Sequence, residues 1–191
     1  MKACFMGLGY IGLPTAITAA MHGVEVVGVD VNPDVVAKTN AGELHIVEPG
    51  LGEKLREVTA SGKLRATSVP ETSDAYFIVV PTPFKGDHTP DISFVESATR
   101  AVVPFLKEDD LYVIESTSPI GTTERMAELI YSLRPELCGK LHIAYCPERV
   151  LPGNVLYELV HNDRVIGGVD EEATERASEF YGLFVKGCLH H

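Results

Sequence analysis

KACFMGLGYIG, residues 2–12, places a G-x-G-x-x-G pattern directly after a short apolar run. The pattern alone is weak evidence, because glycines gather at any tight turn between a strand and a helix. Here the apolar run predicts a strand, and the residues that follow predict a helix with Pro14 near its first turn. In such a unit Gly7 permits the turn, Gly9 lets the backbone approach a pyrophosphate, and Gly12 lets the helix pack closely on the strand.

The second predicted strand, residues 24–29, ends in an acidic residue. Asp30 lies 18 residues after Gly12, where a carboxylate would accept hydrogen bonds from the hydroxyls of an adenine ribose. The same carboxylate would repel a 2′-phosphate, and Val31 and Asn32 supply no arginine to receive one. The first βαβ unit therefore predicts a dinucleotide site that prefers NAD to NADP.

Strands and helices alternate along the rest of the chain, and several of the strands are continuous apolar runs. The predicted strands cover residues 2–6, 24–29, 64–67, 75–80, 111–114, 142–145 and 164–166. The predicted helices cover residues 10–22, 33–41, 51–61, 93–106, 122–133 and 171–184, with a loop over 42–50. Apolar strands that alternate with helices are typical of a parallel sheet covered on both faces. We therefore predict an α/β fold with a doubly wound, mostly parallel sheet of the Rossmann type and helices on both faces.

The composition is that of an ordinary globular domain. The chain has 191 residues, of which 45% are hydrophobic and 23% charged, and this length favours one well-buried domain. The formal charge of −11 argues against nucleic acid as a partner. No apolar run reaches membrane-spanning length, and the first residues lead into a strand rather than a signal peptide. We expect no membrane association and a cytoplasmic location.

The cysteines and histidines do not suggest a metal site. The four cysteines and seven histidines show no spacing typical of metal ligands, so no metal is predicted. Residues 1–187 are predicted to form one domain. The ending Leu189-His190-His191 resembles the start of a purification tag, and residues 188–191 are interpreted as a tag remnant.

Three later strands are followed by unusual loops. These are VPTPF at residues 80–84, ESTSPIGTT at 115–123 and CPERVLPG at 146–153. Serine, threonine and proline are common in helix caps and turns, so each loop alone has an ordinary structural explanation. Parallel strands end at the same edge of a sheet, where α/β proteins bind ligands. Three such loops at one edge favour a functional site.

GLGYIGLP, VPTPFKGD, ESTSPIGTT, YCPERVLPG and NDRVIGG, in this order, resemble the N-terminal, NAD-binding part of the UDP-glucose/GDP-mannose dehydrogenase family. The resemblance extends from residue 1 to about residue 187. PERVLPGN and NDRVIGG are most similar to the branch of that family that acts on UDP-N-acetyl-D-mannosamine. The resemblance implies a UDP-sugar substrate whose C6 alcohol is oxidised to the carboxylate of UDP-N-acetylmannosaminuronate, with two NAD used in succession. It also implies a homodimer in the longer enzyme.

The resemblance assigns roles to individual residues. It implies NAD contacts at Gly7, Gly9, Tyr10, Ile11, Gly12, Asp30, Pro81, Thr82, Thr117 and Thr123. It implies UDP-sugar contacts at Glu148, Arg149 and Val150, and catalytic roles for Glu148 and Thr117. One departure concerns the segment after Asp30, where relatives often carry a basic residue and this chain has Asp34 and Val35.

Cys146 stands beside Pro147 and Glu148 and raises the question of which group is functional. In the resembled family the nucleophilic thiol follows a G-G-x-C motif in a later domain. Here Gly167-Gly168 is followed by Val169-Asp170, so we expect a truncated chain that is inactive alone. Cys146 is predicted to be buried and unreactive, and Glu148 to be the functional member of the pair.

Other functions share parts of these motifs. The substrate could be UDP-glucose or another UDP-sugar, and a β-hydroxyacid dehydrogenase would share the cofactor domain. A non-catalytic NAD-sensing module would share the glycine loop and Asp30. A module of that kind does not need the ESTSPIGTT and CPERVLPG loops at one sheet edge. Binding of a UDP-sugar would distinguish all of these alternatives.

Overall fold

A seven-stranded sheet runs through the centre of the computed structural model, which describes residues 1–86 and 88–191. The strands are β1 (Lys2–Met6), β2 (Glu25–Val29), β3 (Leu64–Thr67), β4 (Ala75–Ile78), β5 (Leu111–Ile114), β6 (His142–Tyr145), β7 (Arg164–Val165), β8 (Gly167–Gly168) and β9 (Leu189–His190). The helices are α1 (Gly12–Met21), α2 (Pro33–Asn40), α3 (Leu51–Ala60), α4 (Ser93–Val102), α5 (Thr122–Leu133), α6 (Val155–His161) and α7 (Glu171–Tyr181). Two 3₁₀ turns cover Val103–Phe105 and Pro135–Leu137.

The spatial order of the sheet is β3-β2-β1-β4-β5-β6-β8. Strands β1 to β6 pair in parallel, and β8 pairs antiparallel with β6. Because β1 lies between β2 and β4, the chain builds outward from the centre of the sheet in two directions. This arrangement confirms the predicted doubly wound, mostly parallel sheet and places a switch point beside β1.

Each face of the sheet has its own apolar core. On one face Phe77 stacks on Phe5 with ring centroids 4.6 Å apart and contacts Phe180 of α7 at 4.3 Å. On the other face Tyr76 and Tyr112 pack under α4 and α5. The buried Tyr76 hydroxyl donates to the Phe105 carbonyl at 3.0 Å, so its burial leaves no unmet hydrogen bond. The two cores explain why the strands are apolar on both faces.

Several predicted elements differ from the structure at their ends. The helix predicted over 93–106 ends at Val102 and continues as the 3₁₀ turn that contains Pro104, because proline has no N–H to donate within an α-helix. The strand predicted over 75–80 ends at Ile78. Val79 still donates to the Met6 carbonyl at 2.8 Å, whereas Val80 turns to bond a side chain of the next strand's loop.

The C-terminal third contains elements that the sequence did not predict. Helix α6 was missed, although Val155 and Leu159 are both buried and lie four residues apart. The strand predicted over 164–166 ends at Val165 as β7, and the separate strand β8 follows over Gly167–Gly168. Strand β7 pairs in parallel with β9, so Leu189 and His190, interpreted above as a tag remnant, lie beside Arg164 and Val165.

Across the described residues, 1–86 and 88–191, no helix is both long enough and apolar enough to span a membrane.

Candidate active site

A cavity of about 680 Å³ opens at the carboxyl ends of the central strands. Ten of the residues predicted for a site line it, namely Gly7, Gly9, Tyr10, Ile11, Asp30, Pro81, Thr82, Thr117, Glu148 and Val150. Three others lie elsewhere. Gly12 packs beneath the loop, Arg149 is exposed outside the cavity lining, and Thr123 lines a neighbouring cavity of about 300 Å³ at the start of α5.

The glycines of the first loop have different reasons to be glycine. Gly7 has a φ of +102°, and a Cβ there would lie 2.3 Å from the Val79 carbonyl oxygen. A Cβ at Gly12 would lie 2.0 Å from the Gly7 carbonyl oxygen. Gly9 has a negative φ and open space around the Cβ position, so the protein's own packing does not require it to be glycine.

The backbone beside Gly9 suits an anionic ligand. Helix α1 starts at Gly12, and the residue before it, Ile11, has no side chain that could cap the helix. Within the described residues, the first N–H groups of α1 therefore have no side-chain acceptor at the cap position. Uncapped N–H groups and the positive end of the helix dipole favour phosphate. The open space at Gly9 would admit a pyrophosphate, and the residues present therefore fit the predicted dinucleotide.

Asp30 is held at the end of β2 by two backbone groups. Its Oδ2 accepts a hydrogen bond from Leu8 N–H at 3.0 Å, and its Oδ1 accepts one from Asn32 N–H at 2.9 Å. A carboxylate has about four acceptor positions, so both oxygens retain capacity for ribose hydroxyls. Val31 beside it is 94% exposed and offers an apolar surface to a base.

Ser116 joins the loops that follow β4 and β5. Its hydroxyl accepts from Val80 N–H at 2.9 Å and donates to the Val80 carbonyl at 2.7 Å. This contact orders the loop that carries Thr82. The next residue, Thr117, is exposed and faces the cavity.

Glu48 connects the glycine loop to the loop after β6, and the sequence did not predict it. Its Oε2 accepts from the Tyr10 hydroxyl at 2.5 Å and from Gly153 N–H at 3.0 Å, and its Oε1 accepts from Val155 N–H at 2.8 Å. Burial opposes ionisation of Glu48, but the hydrogen bonds from Tyr10, Val155 and Gly153 outweigh it and lower the pKa of this carboxyl. The only sequence signal was an acid inside a loop rich in proline and glycine.

Glu148 is held against a buried arginine that was also not predicted. Its Oε2 lies 2.7 Å from Arg164 Nη2, with both side chains less than one-tenth exposed. These two atoms are not aligned as a hydrogen bond, so the contact is ionic. The Glu148 Oε1 accepts from Arg149 N–H at 2.6 Å. The guanidinium carbon of Arg164 lies 4.8 Å from the ring centroid of Tyr181, which adds a cation–π contact.

Cys146 and Glu115 lie beside this arginine. The prediction that Cys146 is buried is confirmed, and burial raises the pKa of its thiol to about 12. Its Sγ lies 3.9 Å from Arg164 Nη1. Glu115 is 2% exposed and accepts a hydrogen bond at Oε1 from the Tyr181 hydroxyl at 2.5 Å. Burial raises the pKa of the Glu115 carboxyl to about 7.

Comparisons with known proteins agree with the geometry. A family model described as the UDP-glucose/GDP-mannose dehydrogenase family, NAD binding domain, matches residues 1–185. The UDP-N-acetyl-D-mannosamine dehydrogenase of Escherichia coli (strain K12) is 50% identical over 190 residues, which cover 95% of this chain and 45% of that protein. The NDP-N-acetyl-D-galactosaminuronic acid dehydrogenase of Ralstonia nicotianae is 49% identical over 193 residues, covering 96% of this chain and 46% of that protein.

A solved structure shows the same likeness in three dimensions. The UDP-N-acetyl-mannosamine dehydrogenase of Staphylococcus aureus superposes with a TM-score of 0.95 at 43% identity, covering 100% of this chain and 47% of that one. The chain therefore spans about half the length of the relatives it matches.

The glycine loop yields the first test. Gly12→Ala should destabilise the protein by roughly 1–3 kcal/mol, because the new methyl group meets the Gly7 carbonyl. Gly9→Ala should change stability by less than about 0.5 kcal/mol but weaken NAD binding at least about tenfold, since its methyl group would project towards the pyrophosphate. Urea unfolding and calorimetric titration measure the two effects. Equal loss of stability in both variants, or unchanged NAD binding by Gly9→Ala, would contradict this assignment.

The thiols yield a second test. In the folded protein at pH 8, Ellman's reagent should modify the exposed Cys138 and Cys188 rapidly. Cys4 and Cys146 should react only on unfolding, because burial raises the pKa of each thiol to about 12. The control is Cys146→Ser, which should leave the number of fast-reacting thiols at two. A third fast thiol that disappears in this variant would show that Cys146 is reactive.

Proposed function

The chain belongs to the UDP-glucose/GDP-mannose dehydrogenase family as its NAD-binding domain, and from this premise we propose that it is the cofactor half of a UDP-N-acetylmannosamine dehydrogenase. Such an enzyme would oxidise the sugar to UDP-N-acetylmannosaminuronate with two NAD used in succession. The observation that carries the proposal is the meeting of the glycine loop, Asp30, Thr117 and Glu148 at one cavity.

The chain's own groups would hold NAD in distinct ways. The backbone N–H groups at the start of α1 would bind the pyrophosphate, and Asp30 would accept hydrogen bonds from the adenosine ribose. Val31, Phe94 and Ala98 form an apolar part of the cavity wall that suits the adenine ring. When bound, NAD would supply the hydride acceptor.

Glu148 and Thr117 are the groups proposed for chemistry. The ion pair with Arg164 holds the Glu148 carboxylate at the cavity wall, where it would accept a proton or orient a water molecule. The Thr117 hydroxyl lines the same cavity and would bind that water. A module that only senses NAD needs neither group, and their presence in the cavity favours an enzyme.

The choice of UDP-sugar rests on the relatives. The names of the matched proteins include UDP-N-acetyl-D-mannosamine and NDP-N-acetyl-D-galactosaminuronic acid dehydrogenases, which favours an N-acetylhexosamine over glucose. Arg149 is exposed next to Val150 of the cavity wall, and a guanidinium at this place would attract the diphosphate. UDP-glucose or another UDP-sugar is the alternative substrate.

Cofactor choice tests the binding half of the proposal. Calorimetric titration should show NAD binding at least about tenfold tighter than NADP, because the Asp30 carboxylate accepts from ribose hydroxyls and repels a 2′-phosphate. Asp30→Asn should reduce the ratio of NAD affinity to NADP affinity. Glu57→Gln, which changes an exposed acid on α3, is the control and should preserve the preference for NAD. Equal or tighter binding of NADP by the unmodified chain would remove Asp30 from the ribose role.

Turnover tests the catalytic half. The 191 residues alone should form no NADH from UDP-N-acetylmannosamine, because the resemblance assigns the nucleophilic thiol to a G-G-x-C motif in a later domain. In a longer protein that includes such a domain, Glu148→Gln should slow turnover by roughly a hundredfold or more, as for loss of a positioned acid–base group. Cys146→Ser should stay within a few-fold. Loss of turnover in a folded Cys146→Ser enzyme, or steady NADH formation by the 191 residues, would refute these roles.

A further inference from the structure

A group of buried, ionisable side chains lies behind Glu148 and is not used by the function proposed above. We define it as the buried cluster, and its members are Glu115, Cys146, Glu148, Arg164 and Tyr181. We propose that Glu115 and Glu148 work as one acid–base unit through Arg164, in which Glu115 holds a proton at neutral pH and releases it when Glu148 gains one. The inference rests on the proposed function, and specifically on Glu148 acting there as the group that accepts a proton.

The fold brings the two carboxyl groups to one arginine. Glu115 follows β5 directly, and the pairing of β5 with β6 continues one residue further, where Cys146 N–H donates to the Ile114 carbonyl at 3.0 Å. Arg164, 3% exposed at the start of β7, contacts Glu148 at 2.7 Å. Glu115 is linked to the same arginine through Tyr181, which contacts both residues.

Tyr181 contacts both Glu115 and the arginine. Its hydroxyl donates to Glu115 Oε1 at 2.5 Å, and its ring lies against the guanidinium of Arg164. Burial raises the pKa of Tyr181 well above its ordinary value, so the hydroxyl remains a donor at neutral pH. The second oxygen of Glu115, Oε2, is buried and has no hydrogen-bond partner among the described residues, and Glu115 belongs to the lining of the main cavity.

The charges of the buried cluster balance only if one carboxyl is protonated. One guanidinium can neutralise one carboxylate, and a second carboxylate shielded from water would be costly. Glu148 is in direct contact with Arg164 and takes the ionised role. For Glu115, burial is the largest influence and raises the pKa, and the nearby Glu148 raises it further. Arg164 and the Tyr181 hydrogen bond lower the pKa, and the result of all four effects is a pKa of about 7. Cys146 also faces Glu115, but its thiol stays neutral because burial raises its pKa to about 12.

This charge balance predicts how a proton moves. When an O–H bond of substrate or water breaks and its proton forms a new O–H bond on Glu148, Arg164 loses its counter-charge. The uncompensated guanidinium then favours ionisation of Glu115, whose own O–H bond breaks and whose proton passes to water in the cavity. The net charge of the buried cluster is the same before and after, so the cavity avoids the cost of an unpaired buried charge.

Carboxyl titration by ¹³C NMR on the 191-residue protein tests the proposal without turnover. With glutamate side chains labelled, one resonance should titrate with a midpoint of about 7 and should disappear in Glu115→Gln. In Glu148→Gln this midpoint should fall by roughly one pH unit, because the negative charge near Glu115 is removed. Arg164 then has no other carboxylate to neutralise and stabilises the ionised form of Glu115. In Tyr181→Phe it should rise, because the donor to Glu115 is lost while the ring remains. The control is Glu128→Gln, an exposed position on α5, which should leave the midpoint unchanged.

Two results would overturn the inference. One is a Glu115 midpoint near the ordinary value for glutamate, about 4.3. The other is a midpoint near 7 that does not respond to Glu148→Gln, which would show that the two carboxyls titrate independently. Calorimetry with NAD is separate from this measurement. If the protein binds NAD but the Glu115 midpoint does not respond to Glu148→Gln, the inference alone is refuted. If the midpoint responds but the protein does not bind NAD, the proposed function is refuted.

Discussion

The parallel pairing of β1 with β2 on one side and with β4 on the other determines where the chain turns and where the cavity opens. At the carboxyl end of β1 the backbone is still hydrogen-bonded to both neighbouring strands. Gly7 N–H donates to the Val29 carbonyl at the end of β2, and Val79 N–H donates to the Met6 carbonyl, each at 2.8 Å. The backbone must therefore turn between two neighbours, which explains the positive φ of Gly7 and the absence of a side chain at Gly12. The same pairing puts the ends of β2, β4 and β5 at one edge, so Asp30, Thr82 and Thr117 meet at one cavity.

Buried charged groups hold the loops around that cavity in place. Glu48 ties the glycine loop to the loop after β6 through three hydrogen bonds, and Arg164 fixes Glu148 from behind. Replacing such groups by apolar residues often leaves stability unchanged or improved, so their presence is better explained by the positions they impose. Ionisable groups with shifted pKa values in a cleft are typical of functional sites, and Glu115, with its pKa raised to about 7, is one of them.

The sequence predicted those parts of the molecule that depend on local patterns. The glycine spacing and the acid at the end of the second strand predicted the first βαβ unit, and the apolar runs predicted strands β1, β3, β5 and β6 with their bounds. The sequence did not predict the roles of Glu48 and Arg164, because both depend on contacts with residues outside their own strand or loop. Glu48 bonds Gly153, 105 residues away, and no local pattern distinguishes it from an exposed loop acid. Arg164 looked like the first residue of an ordinary strand, although its side chain is buried against Glu148.

A crystal structure of the 191-residue protein with NAD would show whether the sheet edge beside β1 is the cofactor site. We expect NAD in the 680 Å³ cavity, with pyrophosphate oxygens within hydrogen-bond distance of backbone N–H groups at the start of α1. We also expect the adenosine ribose hydroxyls to contact the Asp30 carboxylate. NAD bound elsewhere while this cavity stays free would rule out the cavity as the cofactor site. NAD bound here with its adenosine ribose away from Asp30 would rule out the role of that carboxylate.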